Sequence, residues 1–308
     1  MRLKVAIAER GHAIDPYKYY VWSKERIYIY NDLFAHVSND SRYIFRPHDF
    51  PCELPIDDII DFDESFHKMV HSELVDVRFE EDLEYIQQST KPPIIIGGCG
   101  RSGTTLLLSV LGAHDNIYAF DEELYAFYPK PYRLNNISNA IDKYNVFKKR
   151  WCEKTPKNVQ AFREIYNLFD GNVKLIHMIR DGRDVVTSSH PNHKYKKYWV
   201  DTERWIDDVT RGLDCADICY ELKYEDLVIN PESSLKNLCE FIDEPFDTSL
   251  LRHSASTTVR GNPAWDGKAE KIHTKRLGKW KNPEHADRIK AFLQNKDAHA
   301  LMKRLQYI

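Results

Sequence analysis

The sequence predicts an α/β protein, a parallel sheet flanked by helices, and three observations predict it. Ile94-Ile95-Ile96 is a short β-branched run after the chain-breaking Pro92-Pro93, the pattern of a strand buried on both faces. It leads into a glycine-rich turn and then into Leu106–Leu111, apolar enough for a buried helix. The same strand–turn–helix order recurs downstream, and alternation of this kind makes the strands parallel with helices on both faces.

Taken in order, the elements begin with an irregular stretch of about ninety residues. Within it Arg26–Tyr30 (RIYIY) alternates like a strand, and Ser65–Glu84 reads as an acidic helix. After the first strand–helix unit, Asn158–Phe169 is expected to be helical, with Val159, Phe162, Ile165 and Phe169 on one side. Gly171 ends that helix, and Val173–Ile179 (VKLIHMI) forms the next strand. The strand ends in Arg180-Asp181-Gly182 and turns into a helix through Val185 and Val186, which should carry Ser188 about two turns along. Asn230-Pro231 supplies a cap and a first-turn proline for a helix with Leu235, Leu238 and Ile242 inward. A last helix starts near Glu284, with Ile289, Phe292 and Leu293 inward. No repeat or linker divides the chain. Residues 1–90 read as an N-terminal extension packed on the core, and 91–308 as the main domain.

Composition narrows the function classes. With 308 residues, 42% hydrophobic and 30% charged, the chain reads as globular rather than disordered. No run approaches the ~18 apolar residues of a membrane span. Met-Arg-Leu-Lys leads into no signal-peptide core, so a cytoplasmic protein is expected. Cys52, Cys99, Cys152, Cys215, Cys219 and Cys239 form no CxxC pair and read as reduced thiols. Neither Cys215/Cys219 nor His67/His71 has the ligand set of a metal site, and no metal is expected. The net charge of −3 conceals an asymmetry: residues 53–84 carry −10, leaving +7 on the other 276 residues. A basic body suits an anionic ligand, and the acidic segment is expected away from it.

The strongest local signal is Gly98-Cys99-Gly100-Arg101-Ser102-Gly103-Thr104-Thr105. Its GxxxxG spacing between a strand and a helix is that of a P-loop-like anion-binding turn. There the glycines let backbone N–H groups face an anion and the helix N-terminus adds positive potential. A nucleoside triphosphatase loop continues G-K-[ST], whereas Thr104 stands at the lysine position here. The loop is therefore built for an anion and poorly built for Mg-ATP hydrolysis. Arg180, at a strand's carboxyl end, and Ser188 suit a second phosphate. The alternative for Arg180 is a structural salt bridge with Asp181 or Asp184.

Five blocks in order, PPIIIGGCGRSGTTLL, WCEKTPKNV, KLIHMIRDGRDVVTSS, LKYEDLVINPESSLKNLCEFI and RLGKWKN, resemble the sulfotransferases that use 3′-phosphoadenosine 5′-phosphosulfate (PAPS). The resemblance is greatest to the tyrosylprotein sulfotransferase branch and its bacterial relatives, and it runs from Lys91 to Asn282. It implies that Arg101, Ser102, Gly103, Thr104 and Thr105 hold the 5′-phosphosulfate, and that Arg180 and Ser188 bind the 3′-phosphate. It further implies that Tyr224 lies near the nucleotide and that Lys279 comes from a loop closing over it. Glu122, twenty-one residues after Arg101, matches the general base, with Asp121 and Glu123 as neighbouring alternatives, and Lys154 matches the lysine beside the bridging oxygen.

The chemistry asks for the same residue types. A hydroxyl acceptor must lose a proton to a carboxylate or histidine, and a cation must stabilise charge on the sulfuryl group and the departing phosphate. Glu122, Lys154 and Arg101 fill those roles. His177 reads as a satisfied core histidine, and His190 as lying on the cofactor side. Tyr125, Phe127, Tyr128, Tyr132, Tyr144 and Phe147 either line an acceptor pocket or pack as core. The expected acceptor bears a hydroxyl, as a small molecule, glycan or tyrosine. A P-loop small-molecule kinase and a non-catalytic nucleotide-binding protein are the competing readings. The scattered cations, with no continuous basic helix, argue against nucleic acid.

Overall fold

The computed structural model describes residues 18–23, 26–31, 79–130, 132–189, 197–259 and 271–308. The chain forms two compact units, Met1–Glu84 and Tyr85–Ile308. In the first, β1 (Lys18–Ser23) and β2 (Arg26–Asn31) pair antiparallel, with Tyr20 opposite Ile29. The strand expected at Arg26–Tyr30 is therefore present. A helix, α1, covers residues 79–86. The rest of the acidic stretch, with His67, His71 and Cys52, lies outside the described residues, as does His190.

In the second unit β3 (Ile94–Gly98) leads into α2 (Thr104–Leu111), as the Ile-rich run and the apolar stretch behind the turn predict. Next come β4 (Ile117–Ala119), α3 (Asn135–Lys143), β5 (Arg150–Lys154) and α4 (Phe162–Leu168). They are followed by β6 (Lys174–Ile179), α5 (Gly182–Val186), α6 (Thr202–Leu213), β7 (Cys219–Lys223) and α7 (Tyr224–Ile229). The chain closes through α8 (Pro231–Phe241), α9 (Ala286–Gln294) and α10 (Lys296–Arg304). The strands form one five-stranded sheet in the order β4-β5-β3-β6-β7, parallel at every pairing.

One apolar cluster joins β3 to α2, α7 and α8 through Ile94, Leu107, Leu227 and Leu235. Another joins Ile179 to α6, α9 and α10 through Trp205, Phe292 and Met302. Covered by helices, the central strand is buried along its whole length, which accounts for its unbroken apolar sequence.

Local departures from expectation have visible causes. The segment 156–169 opens as a 3₁₀ turn, Pro156–Ala161, before α4 begins. Asn158 is held by hydrogen bonds from its amide to Glu153 Oε2 (2.6 Å) and the Ile96 carbonyl (3.3 Å). The expected inward set Val159, Phe162, Ile165 and Phe169 is buried all the same. Helix α5 is shorter than expected, so Ser188 lies just past its end rather than two turns inside. The Thr187 and Ser188 hydroxyls bond back to the Arg183 and Asp184 carbonyls, consuming acceptors that a longer helix needs. Asn230 makes no side-chain cap to α8, although Pro231 occupies the first turn. The final helix is two helices, because Asn295 stops α9 and caps α10 by accepting from the Asp297 and Ala298 N–H groups.

His177 is buried as expected but is not satisfied: among the described residues neither ring nitrogen has a hydrogen-bond partner. Its ring meets Phe162 edge-on at 6.4 Å and lies against Gly212, where an added Cβ would sit 2.1 Å from the imidazole. Burial, only partly opposed by Asp208, lowers its pKa to about 4. The folded state thus keeps the ring neutral where the unfolded chain protonates it near its ordinary 6.5. Stability should therefore fall as the pH drops from about 6.5 towards 4, by up to about 3 kcal/mol from this group. Urea unfolding of the parent and His177→Asn at pH 7 and pH 4.5 checks this, with the variant losing less on acidification. Gly212→Ala should cost about 1–3 kcal/mol at either pH by overpacking.

Candidate functional site

The glycine-rich loop joins β3 to α2 at the carboxyl edge of the sheet, where ligands bind in open α/β folds. Gly103 caps α2 at φ +94°, a backbone conformation that favours glycine, and Arg101 is also left-handed at φ +72°. An added Cβ at Gly103 would lie 2.5 Å from the Tyr224 ring. The loop therefore packs directly on the first residue of α7. Ser102, Thr104 and Thr105 are buried at the helix start.

Arg180 leaves the end of β6 and bridges two segments. Its Nη1 donates to the Arg101 carbonyl (2.9 Å) and its Nη2 to the Arg276 carbonyl (2.6 Å). Its guanidinium lies 4.4 Å over the Tyr224 ring, a cation–π contact, and 3.7 Å from Asp184 Oδ2. The structural alternative considered for Arg180, a pair with Asp184, is present, and the same side chain also holds the Arg101 carbonyl of the glycine-rich loop. Asp181 instead binds Arg183, with Nη2 to Oδ2 at 2.7 Å.

Burial, followed by the charges of Arg180 and Arg276, lowers the proton affinity of Arg101. Three guanidiniums therefore crowd one place, an arrangement suited to a multiply charged anion. Arg101 Nε, Ser102 Oγ and Arg180 Nε are buried donors without a partner among the described residues. Such atoms fit the phosphate and sulfate oxygens that the sequence resemblance implies. Sequence reasoning does not single out Arg276, whose signal is a second cation in the RLGKWKN block that also holds Lys279. Lys279 itself is exposed and opens a 3₁₀ turn, Lys279–Lys281, whose backbone is tied down from Asp184. Ser188 donates to the Asp184 carbonyl at 2.7 Å.

Lys154 ends β5 beside β3, with its Cα opposite Ile96. Its side chain is 0% exposed, and Nζ donates to Glu123 Oε1. Glu123 is 28% exposed and also accepts from the Tyr125 hydroxyl at 2.8 Å. Burial and that carboxylate push Tyr125 up to about 12. Glu122, 48% exposed, is paired with Lys143 at 2.9 Å and accepts from Tyr144 at 3.4 Å. The structure thus brings Glu123, not Glu122, to Lys154. The aromatic set divides: Phe127 packs on Phe169 in the core, while Tyr125 and Phe147 are exposed. Among the described residues no group of three His, Cys, Asp or Glu side chains is placed to hold a metal, and the five described cysteines are free and buried.

A family model described as "Sulfotransferase family" matches residues 131–248, a span containing Lys154, Arg180, Ser188 and Tyr224. Protein-tyrosine sulfotransferase A of Caenorhabditis elegans is 28% identical over 202 residues, covering 53% of each chain. Protein-tyrosine sulfotransferase 1 of Danio rerio is 25% identical over 206 residues, covering 55% of this chain and 58% of that one. The chain resembles the sulfotransferases. This bears out the resemblance carried by the five sequence blocks, on its tyrosylprotein side. The sulfotransferase-like chain spans about half the length of the curated relatives it matches. Mouse sulfotransferase SULT7A1, solved in complex with PAP, is 16% identical with a TM-score of 0.47, covering 73% of this chain and 94% of that one.

Gly103→Ala should remove anion binding at the loop and destabilise the fold by about 1–3 kcal/mol, since it combines a positive φ with a Cβ driven into Tyr224. Calorimetric titration with 3′,5′-ADP and chemical unfolding of the variant measure the two effects separately.

Proposed function

We propose that the chain is a PAPS-dependent sulfotransferase acting on a hydroxyl acceptor. The observation that carries the reading is the convergence of Arg101, Arg180 and Arg276, with buried unpartnered donors, on a glycine loop that lacks the P-loop lysine. Arg101 and the 102–105 segment would hold the 5′-phosphosulfate, Arg180 and Ser188 the 3′-phosphate, and Tyr224 and Lys279 the nucleotide's flanks. The bound donor supplies the sulfuryl group.

The acceptor oxygen forms its bond to sulfur while the bond from sulfur to the phosphate oxygen breaks, leaving 3′,5′-ADP. A carboxylate of the 121–123 turn takes the hydroxyl proton. Glu123 is the better placed member, because it already touches the buried Lys154. The sequence spacing favours Glu122 in the same role. Lys154 and Arg101 stabilise the negative charge that builds on the leaving phosphate.

The similarity to proteins named protein-tyrosine sulfotransferases supports a phenolic hydroxyl among the small-molecule, glycan and tyrosine acceptors. Free, buried cysteines fit a cytoplasmic setting. Residues 1–90 would be an extension attached to a transferase domain at 91–308.

Two measurements test this reading. 3′,5′-ADP should raise the melting temperature well beyond ATP with magnesium, and the reverse order would point to a kinase. With labelled PAPS and a phenolic acceptor, Glu123→Gln should lower turnover by about 10²–10⁴, with Glu122→Gln much milder. A slow Glu122→Gln beside an active Glu123→Gln would return the base to the position that spacing selects.

A further inference from the structure

Asp184 lies in the KLIHMIRDGRDVVTSS block, four residues after Arg180, where the sequence offers it only as a salt-bridge partner of that arginine. It lies in the five-residue α5 and is only 3% exposed. Its Oδ2 accepts the Gly278 N–H at 2.8 Å and its Oδ1 accepts the Trp280 N–H at 3.0 Å. These N–H groups lie at the start of the 3₁₀ turn, where no intrahelical acceptor exists for them. Gly278, at φ +67°, makes the bend that presents both donors to one carboxylate. Arg183 of the same helix stacks 4.2 Å over Trp280, and Arg180 holds the Arg276 carbonyl. The Asp184 carbonyl in turn receives the Ser188 hydroxyl.

We propose that Asp184 is a positioning residue that latches the 276–280 turn, and with it Arg276 and Lys279, against the arginine cluster. The nucleoside bisphosphate would then meet a prearranged site rather than a loose turn. This rests on the sulfotransferase reading above.

The latch can be separated from simple electrostatics by the sign of the effect. Asp184 Oδ2 lies 3.7 Å from Arg180, so as a mere negative charge it opposes an incoming anion. Removing that charge in Asp184→Asn would then tighten binding. As a latch it must do the opposite, because an amide keeps one acceptor oxygen and turns a donor toward the other N–H. The loss of one charge-assisted bond and the freeing of the turn should weaken binding about tenfold or more.

The test is titration calorimetry of the full chain with 3′,5′-ADP, with kinetics at varied PAPS and fixed acceptor, and trypsin cleavage around Lys275, Arg276 and Lys279. Asp184→Asn is expected to raise Kd and the KM for PAPS about tenfold. The KM for acceptor should be unchanged, and 3′,5′-ADP should no longer protect the turn from trypsin. Tighter or unchanged binding with protection retained overturns the latch. Should Asp184→Asn fail to fold, Trp280→Pro removes one of the donated N–H groups while leaving Asp184 in place. Weakened 3′,5′-ADP binding in that variant supports the latch, and parental affinity overturns it. If the parent chain itself fails to bind 3′,5′-ADP, the sulfotransferase reading falls first, and that outcome is distinguishable from a parent that binds and a variant that binds equally well.

Discussion

The Arg180 guanidinium is the interaction on which the candidate site depends. It stands at the end of β6, spans from the anion loop to the turn at 276–280, and rests on the face of Tyr224. A guanidinium suits that task because its planar fork donates from three nitrogens in a fixed plane, whereas a lysine's three donors radiate from one atom. Arg180 nevertheless keeps a buried nitrogen without a partner among the described residues, so its structural bonds there do not exhaust its donors. The same side chain can therefore organise two loops and still meet a ligand.

The catalytic candidates lie on the other side of the central strand. Because β5 runs beside β3 in parallel, Lys154 and the anion loop emerge at the same edge of the sheet without any contact between their side chains being needed. Lys154 is buried and neutralised by Glu123, which stands between it and Tyr125. A buried lysine without a carboxylate would be costly. The ion pair therefore accounts both for the tolerance of the charge and for the way the 121–125 turn is drawn onto β5.

The fold was legible in the sequence because its signals are local and strong: β-branched runs for the inner strands, a glycine turn, and apolar faces at helical spacing. The turn from β3 into α2 was legible for the same reason, since Gly98 to Thr105 form one contiguous segment. Partnerships made by tertiary folding were not. Spacing selected Glu122, but spacing cannot report which of two adjacent carboxylates turns towards a lysine on a neighbouring strand. Ser188 was placed on a helix that its own hydroxyl, together with that of Thr187, helps to end. His177 was assumed to be hydrogen-bonded, and only the packing of Phe162 and Gly212 around it shows an apolar box. Arg276 escaped notice because its significance comes from two arginines far earlier in the chain.

The bonds from Arg180 to the Arg101 and Arg276 carbonyls, and from Asp184 to the Gly278 and Trp280 N–H groups, span 79 to 96 residues of sequence. Contacts over such distances are non-local, and they depend on the parallel sheet that brings the segments to one edge. The glycine loop is therefore not a portable cassette. Transplanted with its strand and helix into another scaffold, it would bring its backbone amides but neither the second nor the third arginine. The cluster of three arginines is a property of the completed domain.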